Sequence, residues 1–169
     1  MFYSQRNLCW SGDNLGFGYT TIGNYGCVIT SFGMGLGVNP SVVNWALKRV
    51  NGYTGSNKNL VIWHKVAEAF PELKLKHLIH CVTVPAPVDK IDECLANNDL
   101  VIVRIDMNLF KPGIQHHWLY VYGGNGKDGY KVYDPWALSA KDWTLPPVYS
   151  KEGWDAARAI YSAVIYSRG

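Results

Sequence analysis

The sequence predicts an α+β fold, with helices filling the first half of the chain and an antiparallel sheet the second. Three observations lead there. Between residues 27 and 96 apolar residues recur mostly at helical spacing, whereas after residue 100 they come in short β-branched and aromatic runs, and a glycine cluster joins two of those runs as a hairpin. No repeat, low-complexity tract or linker divides the 169 residues. They suit one domain over 1–169, long enough to bury a core without metal or disulfide staples.

The stretch from Ser4 to Gly26 is rich in Gly, Asn and Ser and reads as irregular loop. Cys27 to Leu36 is an apolar run between Gly26 and Gly37, with Thr30 and Ser31 as its polar members. It predicts a short helix buried on most sides, in which Gly33 and Gly35 allow a neighbour to approach closely. Each glycine costs about 1 kcal/mol of helix propensity relative to Ala, so tertiary packing must hold this helix. Asn39-Pro40-Ser41 is a helix start, Val42, Val43, Trp45, Ala46 and Val50 continue it, and Asn51-Gly52 stops it. A third helix is predicted from Leu60 to Phe70, ended by Pro71, and a fourth from Val88 to Ala96. Lys74 to His80 alternates basic residues with Leu and Ile like a strand. Val101–Asp106, Trp118–Tyr122 and Tyr130–Tyr133 read as further strands, with Gly123-Gly124-Asn125-Gly126 and Gly129 turning the last pair, and Ala159–Ser167 reads as a final strand.

Charge and cysteine usage narrow the function classes. The net charge of +3 comes from scattered basic residues rather than the clustered patch a nucleic-acid partner needs. No apolar run reaches membrane-spanning length, and Met1-Phe2-Tyr3-Ser4-Gln5-Arg6 lacks the features of a signal peptide. The expectation is a protein that acts in the cytoplasm where it is made, or is released by another agent, with no membrane partner. Cys9, Cys27, Cys81 and Cys94 form no CxxC pair, and reduced thiols are expected. His77, His80 and Cys81 do not make a metal site, because a strand points the two histidines to opposite faces. Gly33-Met34-Gly35-Leu36-Gly37 follows no strand and lacks a phosphate-binding lysine, so neither a metal nor a nucleotide cofactor is expected.

The chemistry gathers at three residues. Cys27 stands at the junction of loop and buried helix, where unpaired backbone N–H groups and the positive end of the helix dipole favour a thiolate. Gly26 lets the loop turn there and leaves room for a substrate carbonyl near the Cys27 N–H. His117 opens one strand and Asp134 closes the next, so the hairpin sets both at one end of the sheet. A carboxylate on one imidazole nitrogen leaves the other for a thiol. His116 and His117 face opposite ways within a strand, so only one of them serves. Taken singly, Cys27 reads as a small core residue, His117 as a structural histidine and Asp134 as a turn residue before Pro135. Their combination carries the functional reading.

The ordered set Gln5-Arg6, Thr21-Ile22-Gly23-Asn24-Tyr25-Gly26-Cys27-Val28-Ile29-Thr30-Ser31, Gly37, His117 to Gly123 and Asp134-Pro135-Trp136 resembles the papain-like cysteine peptidases of the bacteriocin-processing, double-glycine leader type. It is most similar to their free-standing relatives without a transporter. The resemblance runs from Gln5 to the final strand. It implies a papain-like fold, with a Cys-bearing helix packed on an antiparallel sheet. It also implies Cys27 as nucleophile, His117 as general base, Asp134 as the orienting acid and Gln5 as a side-chain donor to the oxyanion. One departure is that Gln5 lies far upstream of Cys27, whereas many relatives carry this glutamine only a few residues before the cysteine. Tyr25, Gly26, Trp118 and Trp136 flank the motif residues and are expected to contact substrate. The activity implied is hydrolysis of an amide through a thioester, in a peptide or a peptidoglycan-like polymer, with no cofactor. Acyl transfer by the same residues and a catalytically silent binding module are the alternatives. The seven Trp and eleven Tyr, many beside the motifs, suggest an aromatic groove for extended or sugar-linked chains.

Overall fold

Between Thr21 and Val50 the chain forms three helices in quick succession: α1 (Ile22–Tyr25), α2 (Cys27–Leu36) and α3 (Pro40–Arg49). These and the elements below come from a computed structural model that describes residues 1–169. α2 has the bounds the apolar run implies, and Gly37, at φ 75°, closes it in the left-handed conformation that favours glycine. α3 begins as its sequence dictates, with the Asn39 side chain accepting the Val42 N–H at 3.1 Å and Pro40 in the first turn. Ser4–Gly26 is not irregular throughout, because α1 forms a single turn within it. The glycines of α2 lie where atoms are crowded. A Cβ on Gly33 would meet the Val38 carbonyl oxygen at 2.5 Å, and one on Gly35 would meet Leu100 Cδ1 at 2.8 Å.

The third predicted helix is shorter than its apolar pattern. Leu60–Val61 (β2) pairs with Tyr53–Thr54 (β1) as a small antiparallel ribbon, and the helix α4 runs only over Trp63–Ala69. Cross-strand pairing takes the first two apolar residues before the helix can use them. Then follow β3 (Leu73–His80), α5 (Val88–Ala96), β4 (Leu100–Asp106), β5 (His116–Asn125), β6 (Gly129–Tyr133), β7 (Trp143–Leu145), α6 (Ala156–Ala159) and β8 (Ser162–Arg168). The final strand starts later than Ala159 because Asp155 caps α6, accepting the Arg158 N–H at 3.0 Å. Three-residue β7 has too little alternation to be read from sequence.

The main sheet has the order β3-β8-β4-β5-β6-β7, every neighbouring pair antiparallel. Alternation along β4 divides the core. Leu100 and Ile102 join Ile29, Phe32, Val43 and Leu47 beneath the N-terminal helices. Val101, Val103 and Ile105 join Ile91, Cys94 and Leu119 beneath α5. A strand buried on both faces has no polar face to show, which explains the unbroken apolar run from Leu100 to Val103. The fold is therefore α+β, with helices against both faces of an antiparallel sheet. No helix is long and apolar enough to cross a membrane.

Gly33→Ala tests the close packing of α2. Alanine gains up to about 1 kcal/mol of helix propensity, but a clash with a backbone carbonyl costs about 1–3 kcal/mol. The expected outcome is a lower urea midpoint than wild type. An unchanged or higher midpoint would contradict the crowding at Val38.

Candidate active site

The site begins with a break between two helices. The Gly26 N–H donates to the Ile22 carbonyl at 2.8 Å, and the Thr30 N–H returns to the Gly26 carbonyl at 2.9 Å. Between them no backbone carbonyl accepts the Cys27 N–H. In a continuous helix its partner would be the Gly23 carbonyl. That oxygen instead accepts Gln5 Nε2 at 2.9 Å. Gln5 thus takes the acceptor that would have joined α1 to α2, and the Cys27 amide stays free at the head of α2. Gly26 is needed here for space rather than for an unusual backbone. Its φ is −82°, but a Cβ would lie 2.4 Å from the Ile22 carbonyl oxygen. The sharp turn expected at Gly26 is in fact a tight approach of the chain to the preceding turn.

Gln5 reaches the site from the N-terminal segment because that segment is tied to the far side. The Gln5 N–H donates to the Pro135 carbonyl at 2.8 Å, next to Asp134. Its side chain is 1% exposed. One amide hydrogen goes to Gly23, and Oε1 has no partner.

His117 and Asp134 meet in the interior. His117 is 3% exposed and Asp134 2%, and His117 Nε2 lies 2.6 Å from Asp134 Oδ1. The Trp136 N–H donates to the same oxygen at 2.7 Å, and the Tyr149 hydroxyl donates to Oδ2. Burial pushes the Asp134 pKa up, but the hydrogen bonds and charge of His117, the Tyr149 hydroxyl and the Trp136 amide outweigh it and hold the carboxyl below its usual range. Burial likewise disfavours the charged form of His117. Asp134 and then Cys27, each through a hydrogen bond and its charge, overcome this and raise the His117 pKa to about 9. With Nε2 engaged by Asp134, Nδ1 is the nitrogen left for the Cys27 thiol. The arrangement favours an imidazolium between a carboxylate and a sulfur.

The adjacent His116 turns the other way, as strand alternation requires. It is exposed and lines a pocket of about 190 Å³ beside Cys27, walled by Val28, Leu60, Val61 and Trp118 and flanked by Tyr25. Tyr25 and Trp118 therefore line the same pocket as the thiol. Trp136 does not. Its ring stacks beneath the Arg6 guanidinium at 4.9 Å, and its backbone amide holds Asp134. Of the rings expected to form an aromatic groove, Tyr25 and Trp118 line this pocket and the others do not. Trp10 packs on Tyr3, Phe17 on Tyr53 and Tyr122 on Tyr133.

Two features escaped the sequence. Leu60 and Val61 line the pocket from a ribbon rather than a helix, and the turn-rich Gly55-Ser56-Asn57-Lys58-Asn59 was the signal for it. Tyr149 lies far from any motif, and no local pattern marks it. The four cysteines are unpaired, Cys81 and Cys94 buried and Cys9 exposed. Burial pushes the Cys81 and Cys94 thiols up, against the opposing charges of Arg104 and Lys76 respectively. No group of three His, Cys, Asp or Glu side chains is placed to hold a metal ion. Neither a known family model nor a curated protein sequence matches the chain, so the geometry carries the functional argument.

The raised His117 pKa has a definite sign in stability. The folded state holds this proton more tightly than the unfolded chain, so the contribution is complete below the ordinary value of 6.5 and lost as pH rises through about 9. Unfolding free energies from urea titrations between pH 6 and 10 should fall across that window by about 3 kcal/mol in wild type, and the His117→Ala variant should lack that fall. Cys27→Ala removes one support of the imidazolium, so the His117 ring should titrate lower by NMR. An unmoved titration would separate the thiol from the histidine.

Proposed function

We propose that this chain is a cysteine hydrolase of papain-like architecture that cleaves an amide bond in a peptide. The observation that carries the reading is the buried Asp134–His117 pair held against Cys27, at a helix head whose amide is free. In this reading the Cys27 thiolate attacks the carbonyl carbon and forms a C–S bond. The developing oxyanion takes the Cys27 N–H, with the second amide hydrogen of Gln5 as the side-chain donor. His117 gives its proton to the leaving nitrogen as the C–N bond breaks, which leaves a thioester. Water then attacks the thioester while His117 takes one of its protons. The C–S bond breaks, and the acid departs from a regenerated thiolate. Asp134 holds the ring in one tautomer throughout. No cofactor enters these steps.

The pocket beside Cys27 bears on the substrate. Its walls are largely aliphatic, which supports a peptide with an apolar side chain near the cleaved bond. The stem peptides of peptidoglycan offer the same kind of bond with small or charged side chains, which match aliphatic walls less well. We therefore place an apolar peptide ahead of the cell-wall polymer.

Limiting iodoacetamide followed by peptide mapping should label Cys27 before Cys9, Cys81 and Cys94. Preferential labelling of any other cysteine would sink the site. Hydrolysis of a peptide library should fall to background in Cys27→Ala and His117→Ala, while His116→Ala keeps turnover and changes KM. Sacculi treated in parallel give the second arm: release of new amines there, with no cleavage in the library, would move the substrate to the wall polymer. Gln5→Ala should lower the rate by about 10²–10³ and also cost about 1–3 kcal/mol of stability, since the Gly23 carbonyl loses its partner. A fully active Gln5→Ala enzyme would remove Gln5 from the mechanism.

A further inference from the structure

Tyr149 lies in the segment after β7, outside every motif, yet its side chain reaches the Asp134–His117 pair. Its backbone φ is 59°, a conformation that bulky residues avoid and that persists only where the surroundings impose it. The ring stands edge-on to His117, with centroids 6.1 Å apart, and edge-on to Trp143 on its other side, also at 6.1 Å. The hydroxyl donates to Asp134 Oδ2, while Oδ1 receives His117 and the Trp136 amide. Burial, with the Asp134 charge added, pushes the Tyr149 pKa up, so the hydroxyl stays a donor wherever the carboxylate is ionised. A side chain present only to fill space would not need this hydroxyl, since the ring already packs between His117 and Trp143.

We infer that Tyr149 is a positioning residue for the Asp134–His117 pair: its hydroxyl fixes the carboxylate so that Oδ1 meets the imidazole, and it keeps Asp134 ionised in a buried site. The inference rests on reading Cys27 and His117 as a thiolate–imidazolium pair. The ionisable groups acting on the carboxylate are His117 and Tyr149, and those acting on the imidazole are Asp134 and Cys27. Removing the hydroxyl takes one of three donors from a buried anion. The carboxylate then becomes easier to protonate and free to turn.

The test is the pH profile of Cys27 alkylation by iodoacetamide, which needs no substrate. In Tyr149→Phe the acid limb should move up by about one pH unit, as loss of a hydrogen bond to a charged group implies, and alkylation near the old limb should slow about tenfold. Asp134→Asn should shift the profile by itself, and adding Tyr149→Phe to it should change nothing more. A Tyr149 that serves only stability would leave the limb in place, or add an equal effect in both backgrounds, and either result overturns the inference. Should Tyr149→Phe be too unstable in buffer alone, the same alkylation profiles are measured in sucrose, which favours the folded state, and the same outcomes decide the question. If wild-type Cys27 shows no enhanced alkylation at neutral pH, the cysteine-hydrolase reading itself fails. That result is distinct from an active thiol whose profile ignores Tyr149.

Discussion

The buried carboxylate of Asp134 is the interaction on which the remaining site depends. An ionised group at 2% exposure is tolerable only when its oxygens are bonded, because an uncompensated buried charge costs several kcal/mol. Asp134 has three donors from three parts of the chain: His117 from β5, the Trp136 amide from its own turn and Tyr149 from the segment after β7. The same turn passes the Pro135 carbonyl to the Gln5 N–H, so the N-terminal segment is fastened to it as well. The turn that carries this anion therefore ties together three distant stretches of chain: β5, the segment after β7 and the N-terminal segment. His117 owes its raised pKa to that anion and to the thiol.

On the other side, the decisive feature is an interruption. α1 and α2 nearly make one helix, and Gly26 allows the chain to close up to Ile22 at the joint. Gln5 takes the Gly23 carbonyl, and the Cys27 amide goes without an internal partner. A helix head left open costs stability in a purely structural protein. In the proposed mechanism it supplies a hydrogen-bond donor for the oxygen on which negative charge develops. The N-terminal segment thus serves both halves of the site: its backbone meets Pro135 and its side chain meets Gly23.

The pocket shows why the two covered faces of the sheet matter. Along β5, alternation sends His117, Leu119 and Val121 toward the α5 face and His116 and Trp118 toward α2. In the proposed reading, acid–base chemistry and side-chain recognition use adjacent residues pointing in opposite directions. A one-residue slip of β5 against β4, now registered with Ile105 opposite His117, would exchange the two roles. Packing of Val103 and Leu119 on one face and of Ile102 on the other fixes that register.

Much of this was legible in the sequence because the signals are local. The apolar run from Cys27 to Leu36, the Asn39-Pro40 start and the Val88–Ala96 periodicity marked helices whose ends agree with the structure to within a residue. The β-branched runs and the glycine hairpin marked β4, β5 and β6, and strand alternation showed that only one of His116 and His117 could serve. What the sequence could not set was anything that depends on who meets whom across the fold. Leu60 and Val61 fit a helical pattern, yet they pair with Tyr53 and Thr54. Trp136 sits beside the motif acid, but Arg6 covers its ring. Tyr149 carries no local signature, and only the return of the chain after β7 delivers its hydroxyl to Asp134. Periodicity and capping act over a few residues and can be read from order along the chain. Hydrogen bonds to a buried carboxylate are satisfied by whichever donors the packed elements bring there, and that is decided in three dimensions.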